Sequence, residues 1–320
     1  MSESSFALLT SMPALLVLAL LAERLIPIAE QWHPLTWVRL FATYLGKKVN
    51  KAEHGAAQQR LAGLLALLLV LLLIVLPLVI IWLGAELPDA IGFLLLWMCL
   101  RNQHQRKQLR WVEQATAKGH KRAARALLGR EVLRDTDSLS AQGLIKTCAE
   151  LRVFGVVEKQ FAVALGWLSG GPLLVLVVRL SSELRRVWPY EQSLTRQFSL
   201  ANEILFRLLH AIPYTLVAML LWLYALLRGR KPVRFKHIPH NGWFRPQAWL
   251  LFCVSRVSQL GLGGPLKYRG HRYWRQRFAG ISAEQAASKL WQWSWLSDVL
   301  LLLLAASALF VELLLRSIQA

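Results

Sequence analysis

The sequence predicts an all-α, polytopic integral membrane bundle of about five to six spans, with a basic helical hairpin outside the lipid. Three observations predict it. Hydrophobic residues make up 55% of the 320 and charged ones only 18%, against about 25% charge in an average soluble domain. The apolar residues are gathered in uncharged blocks of bilayer length. The 38 Lys and Arg residues cluster in the segments between those blocks.

In chain order, Ser4–Ala22 carries no charge over 19 residues and Leu61–Ala85 none over 25. Gln160–Val178 gives another 19 and Leu208–Leu227 gives 20. Roughly 20 apolar residues cross a bilayer core as helix, so these four read as spans. Leu290–Val311 is a fifth, interrupted by Asp298. Ala90–Leu100 and Pro246–Ser255 are shorter and read as short, re-entrant or interfacial helices. The first block is read as a span and not a cleaved secretory leader. A positive region is missing before it, and Glu23-Arg24 closes it where small residues would mark cleavage. No repeat or linker divides residues 1–320, so a single domain is expected.

The connecting segments set an orientation. Residues 101–159 hold 13 Lys/Arg against 6 Asp/Glu, 228–245 hold 6 against none, and 256–289 hold 7 against 1. Such segments stay on the cytoplasmic side and are drawn to the anionic lipid of the inner leaflet, which implies the plasma membrane. This distribution accounts for the formal charge of +20 without nucleic acid as a partner; membrane lipid is the partner it implies. Residues 179–207, with five arginines and three glutamates, fit the outer face poorly and are left between an outer loop and a helix buried in the bundle. Within 101–159, the helical spacing ends at Gly129, and Asp135–Ser140 supply N-cap residues before a second helix. Two cytosolic helices joined by a polar turn are expected.

No phosphate-binding P-loop, His-Glu-x-x-His or Gly-x-Ser-x-Gly motif occurs. Cys99, Cys148 and Cys253 are far apart and read as small hydrophobes. His237 and His240 flank Pro239 and lack the further ligands that zinc needs. Asp298 follows Trp291, Trp293 and Trp295, an interfacial belt, and reads as a residue near the headgroups. One stretch stands out, "GLGGPLKYRGHRYWR" at 261–275. Taken alone, a basic turn anchored on lipid competes there with an anion nest of glycine N–H groups.

The order "AxAKGHKRAARALLGREVLRDTDSL", "AELRVFGVV", "AIP", "NGW" and "LGGPLKYRG", beginning near "ERLIPIAEQWHPLTWVRL", resembles the CobD/CbiB family over most of the chain. That family's members are membrane proteins of cobalamin biosynthesis assigned as adenosylcobinamide-phosphate synthases. The resemblance implies ATP-dependent amide formation between adenosylcobyric acid and aminopropanol or its phosphate, with ATP and Mg²⁺ taking part. It implies Asp135 and Glu150 as catalytic and Mg²⁺-holding residues. It implies Arg134, Thr136, Ser138, Asn241, Gly263, Gly264, Lys267, Tyr268 and Arg269 as substrate or phosphate contacts. Glycines 263 and 264 are then expected to let the backbone approach a phosphate, with Arg275 on the solvated basic face.

The departures run one way. Leu151 stands where the family has asparagine, and Phe154 where it has aspartate. Ser182 and Arg185 replace an asparagine and an aspartate, and Ile204, Phe206 and Arg207 replace an arginine and paired aspartates. Polar and acidic positions are lost while apolar and turn positions are kept. "ERLIPIAEQW" is closer to the AmpE family, membrane proteins linked to β-lactamase induction and akin to CobD/CbiB. A catalytically degenerate signalling or scaffold protein is therefore the alternative to the synthase.

Overall fold

The computed structural model describes residues 11–51, 53–100, 103–132, 134–229, 244–268, 270–278, 301 and 305–306. Among them the chain is almost wholly helical: α1 (Met12–Leu25), α2 (Pro34–Val49), α3 (Ala56–Leu83), α4 (Pro88–Cys99), α5 (Gln103–Ala117), α6 (Lys121–Gly129), α7 (Ala141–Val156), α8 (Ala162–Val187), α9 (Leu200–Leu227) and α10 (Arg245–Ser258). A π-helical turn, Val157–Phe161, joins α7 to α8, and one small antiparallel hairpin pairs β1 (Leu266–Tyr268) with β2 (His271–Tyr273). The all-α membrane bundle expected from the sequence is the observed class. The span Leu290–Val311, with Asp298 and its tryptophans, falls almost entirely outside the described residues, as do His237 and His240.

Helix α3 shows why these elements form. Its mean hydropathy is the highest of the long helices, and only Gly63, Ala66, Leu67 and Val70 are buried. Most of its other leucines face outward, as a helix solvated by lipid requires. Among the described residues three helical stretches are long and apolar enough to cross a membrane: Ala56–Leu83, Ala141–Val187 and Leu200–Leu227. The two short apolar runs became short helices, α4 and α10. In the basic segment Ser140 caps α7 by accepting the Gly143 N–H at 3.2 Å. The expected pair of helices is three, because Gly119, at φ +77°, breaks the first one.

The stretch Ala141–Val187 corrects the expectation for Gln160–Val178. Gly170 and Gly171 leave helical geometry, Gly171 at φ +57° and ψ −153°, and Pro172 starts the next segment. A Cβ on Gly166 would lie 3.6 Å from Val178 Cγ2 and 3.7 Å from Val175 Cα. Nine residues of straight helix would separate 166 from 175 by about 13.5 Å. The chain therefore reverses at Gly170–Gly171, and 160–178 is a re-entrant helical hairpin and not a single crossing. Its tip is held against α1 and α4. Trp167 Nε1 donates to the Met12 carbonyl at 2.7 Å, and Trp167 and Pro172 close on Gly92.

The reversal settles where residues 179–207 lie. The second arm returns them to the side of the basic segments. Asn50 Nδ2 donates to the Leu194 carbonyl at 3.0 Å, Arg60 Nε to Gln197 Oε1 at 2.7 Å, and Arg186 meets Glu131 at 3.3 Å. Residues 29–60, 101–159 and 179–207 thus share one end of the bundle.

Candidate functional site

At that end α7, the π turn, the end of α8, α2, the 129–134 turn and the β-hairpin line a cavity of about 870 Å³. Eight cationic and five acidic side chains line it. Buried charge needs partners, and most of these have them. Arg185 bonds Glu191 and Glu203, both at 2.8 Å, and Arg186 meets Glu131. Glu30 pairs with Arg39, and Lys159 Nζ donates to Gln105 at 2.8 Å. Lys159 and its neighbour Glu158 sit in the π turn, whose extra residue re-aims side chains and is common at functional sites.

The glycine stretch is fastened to this cavity through Glu150. Two turns of α7 before the π segment, Glu150 is buried. Its Oε1 accepts the Gly263 N–H at 2.9 Å and its Oε2 accepts Arg275 Nη2 at 2.8 Å. Arg275 Nε also donates to the Gly264 carbonyl at 3.1 Å. Arg134 stands 3.7 Å from the same carboxylate. A Cβ on Gly264 would come within 3.2 Å of Lys146 Nζ. Three cations, Arg134, Lys146 and Arg275, therefore surround one carboxylate, and the knot carries excess positive charge. Burial holds the Arg134 guanidinium below its ordinary range, with Glu150 opposing the shift. Its Nε is buried and has no hydrogen-bond partner among the described residues. Burial, then Glu191, pushes the Tyr268 hydroxyl up to about 12, so the phenol on the cavity wall stays neutral.

These contacts correct two expectations. Arg275 is not on a solvated face; its side chain is 5% exposed and locked to Glu150. Nor do the two glycines present N–H groups to a ligand: Gly263 gives its N–H to Glu150, and Gly264 gives its own to the Gln276 carbonyl at 2.8 Å. Glycine is required at 263 and 264 for another reason. Both have positive φ, +75° and +85°, and a Cβ at 263 would sit 2.1 Å from the Gln276 carbonyl oxygen.

The structure brings Arg134, Glu150 and Tyr268 together on the cavity wall, with Gly263 and Gly264 behind them. Asp135 joins through backbone and carboxylate: its N–H donates to the Lys267 carbonyl and its Oδ2 accepts the Gly270 N–H, both at 2.8 Å. Thr136 is buried beneath the turn, whereas Ser138 and Lys267 are exposed away from the cavity. Asn241 and Arg269 lie outside the described residues. Asp135 and Glu150 do not fit Mg²⁺ as a pair, because both Glu150 oxygens are engaged and the surrounding cations repel a further one. Among the described residues no three His, Cys, Asp or Glu side chains form a metal-holding group.

Sequence reasoning missed Arg39, Glu131, Glu158, Lys159 and Arg186. The available signal was charge at the edges of apolar blocks, Glu158-Lys159 directly before Gln160 and Arg185-Arg186 after Val178. Leu151, Phe154, Ser182 and Arg185, four of the positions where the family pattern is broken, all line the cavity. Phe206 packs beside it, 4.5 Å under the Arg185 guanidinium.

Comparison with known proteins agrees with the motif order. The family described as CobD/Cbib protein matches residues 16–292. The chain is 26% identical over 271 residues, 82% of its length and 84% of the relative's, to a protein named cobalamin biosynthesis protein CobD from Chromobacterium violaceum. No solved structure matches it significantly. With a family match across 16–292 and the Arg-Asp-Thr and Leu-Gly-Gly-Pro turns joined through Glu150 at one cavity, the chain belongs to the CobD/Cbib family.

Proposed function

We propose that this membrane protein serves cobalamin biosynthesis, with its cavity open to the cytoplasm of a bacterium. In this reading it joins aminopropanol or its phosphate to adenosylcobyric acid by ATP-dependent amide formation. One observation carries the reading: the buried knot at the cavity wall, where Arg134, Lys146 and Arg275 exceed the charge of Glu150 and, among the described residues, Arg134 Nε lacks a partner. A phosphate would supply both the charge and the missing acceptor. Preorganised cations of this kind stabilise negative charge that develops on a transferred phosphoryl or acyl group. Glu150, on this account, positions the turn and Arg275 and is not itself a catalytic acid or metal ligand.

The test is complementation of a strain lacking the synthase, grown where it must make its own cobalamin. The parent should restore growth, and Arg134→Ala should not, while still accumulating in the membrane. Failure of the parent itself would reject the ligase reading.

A second reading has its own support. The altered family positions Leu151, Phe154, Ser182 and Arg185 all face the cavity, so the change is concentrated where chemistry would occur. This favours an AmpE-like signalling or scaffold protein that keeps the fold and the anion knot but has lost catalysis. Phosphate-ligand binding by a non-complementing parent would select it.

A further inference from the structure

Five carboxylates line the cavity, and four of them face a cation. Glu30 pairs with Arg39, Glu131 with Arg186, Glu150 with Arg275 and Glu191 with Arg185. Glu158 is different. Its Oε1 accepts the Tyr214 hydroxyl at 2.6 Å, and among the described residues it forms no ion pair. The side chain is only partly buried and borders the cavity.

Its surroundings are aromatic. Tyr214 is fully buried and holds Phe154 in an edge-on contact, with ring centroids 6.2 Å apart. Phe154 lies one helical turn before Glu158 and lines the same cavity. Gln247 Nε2, at 3.4 Å from the Tyr214 oxygen, steadies the hydroxyl from α10. A carboxylate in a site of low dielectric is poorly solvated and gains most from a charged partner. Aromatic rings beside it favour a cation over a neutral group. The cations nearest it are committed elsewhere: Lys159 is turned to Gln105, Arg185 to Glu191 and Glu203, and Arg186 to Glu131, so they act on Glu158 only at longer range.

We infer that Glu158, Phe154 and Tyr214 form a receptor for a primary ammonium group entering the cavity. The carboxylate pairs with the ammonium, the Tyr214 hydroxyl fixes the carboxylate's orientation, and the Phe154 ring covers the pair from water. This rests on the cobalamin reading only in the choice of amine. It gives that reading a substrate end distinct from the anion knot at Arg134. Glu150 and Glu158 are eight residues apart, about 12 Å along a helix. The anion knot and the ammonium receptor are thus separate stations on one wall.

The experiment is equilibrium binding to the detergent-purified full chain with three probes: 1-amino-2-propanol and 2-propanol, which differ in the amine, and isopropyl phosphate, which reads the anion knot separately. The parent should bind 1-amino-2-propanol more tightly than 2-propanol by about 10- to 100-fold, the range for a charged hydrogen-bonded partner. Glu158→Gln should erase that preference and leave isopropyl phosphate binding unchanged. Glu158→Asp should restore part of it, and Tyr214→Phe should reduce it. Equal binding of the amine and the alcohol by the parent, or a preference that survives Glu158→Gln, overturns the inference and leaves the anion knot to be judged by isopropyl phosphate alone. If isopropyl phosphate does not bind but the amine does, and Glu158→Gln abolishes it, the phosphate reading fails and the ammonium receptor holds. If no probe binds the parent, both are overturned. Should Glu158→Gln not accumulate, the same comparison is made with Glu158→Asp and Phe154→Leu, each of which should narrow the preference.

Discussion

Arg275→Ala tests the structural account of the glycine stretch most directly. The Arg275 and Glu150 side chains are 5% and 3% exposed and meet at 2.8 Å. Removing one member of a buried pair costs about 3–5 kcal/mol, because the other charge is left without compensation. Arg134 at 3.7 Å from Glu150 and the nearby Lys146 retain part of that compensation, which puts the expected loss near the lower bound, ~3 kcal/mol. Glu150→Gln keeps an acceptor for the Gly263 N–H but removes the charge, so a similar loss is expected. The double variant should cost less than the sum by about 2 kcal/mol, as residues in direct contact do. Unfolding in mixed micelles with a rising fraction of SDS, read by tryptophan fluorescence, measures all three differences. A residue on a solvated basic face would change stability by no more than about 0.5 kcal/mol. A value that small for Arg275→Ala, or strict additivity with Glu150→Gln, would falsify the knot.

Single cysteines placed by Lys121→Cys and Leu194→Cys should react with an impermeant reagent from one and the same side, because the hairpin returns 179–207 to the basic end; labelling from opposite sides would refute the reversal at Gly171. Gly171→Val should reduce the folded yield, since φ +57° is strained for a β-branched residue; normal yield and unchanged labelling would argue for a continuous helix. Tyr268 should add a pH dependence: burial raises its hydroxyl to about 12 in the folded chain against about 10 unfolded. Its contribution is therefore complete below pH ~10 and is lost as pH rises towards ~12. Comparing Tyr268→Phe with the parent by alkaline unfolding checks this, and an identical fall in both would place the phenol in solvent.

Sequence alone determined the solvent of this protein and most of its parts. Uncharged blocks such as Leu61–Ala85 could bury their backbone polar groups only as helix, and clustered Lys and Arg fixed which segments stay together outside the lipid. The Ser140 cap, the stop at Gly129 and the positive-φ glycines at 263 and 264 were legible because each follows from a residue's own conformational limits. The order of short motifs carried the family, and with it Arg134, Glu150 and Tyr268.

Tertiary structure decided what each polar group does. Gln160–Val178 has the length and composition of a crossing, and hydropathy is blind to direction; two glycines with one positive φ reversed it and moved five arginines and three glutamates to the other end. Arg275 looked like its basic neighbours, and only its contact with Glu150, 125 residues earlier in the chain, made it structural. The glycine N–H groups likewise had two possible customers, a ligand or the chain itself, and the packing of Gln276 and Glu150 against the turn chose the chain. Glu158 became visible only when every other acid on the cavity wall had found its cation. Charge pairing inside a membrane protein depends on which side chains meet across helices, and that distance is not written in sequence separation.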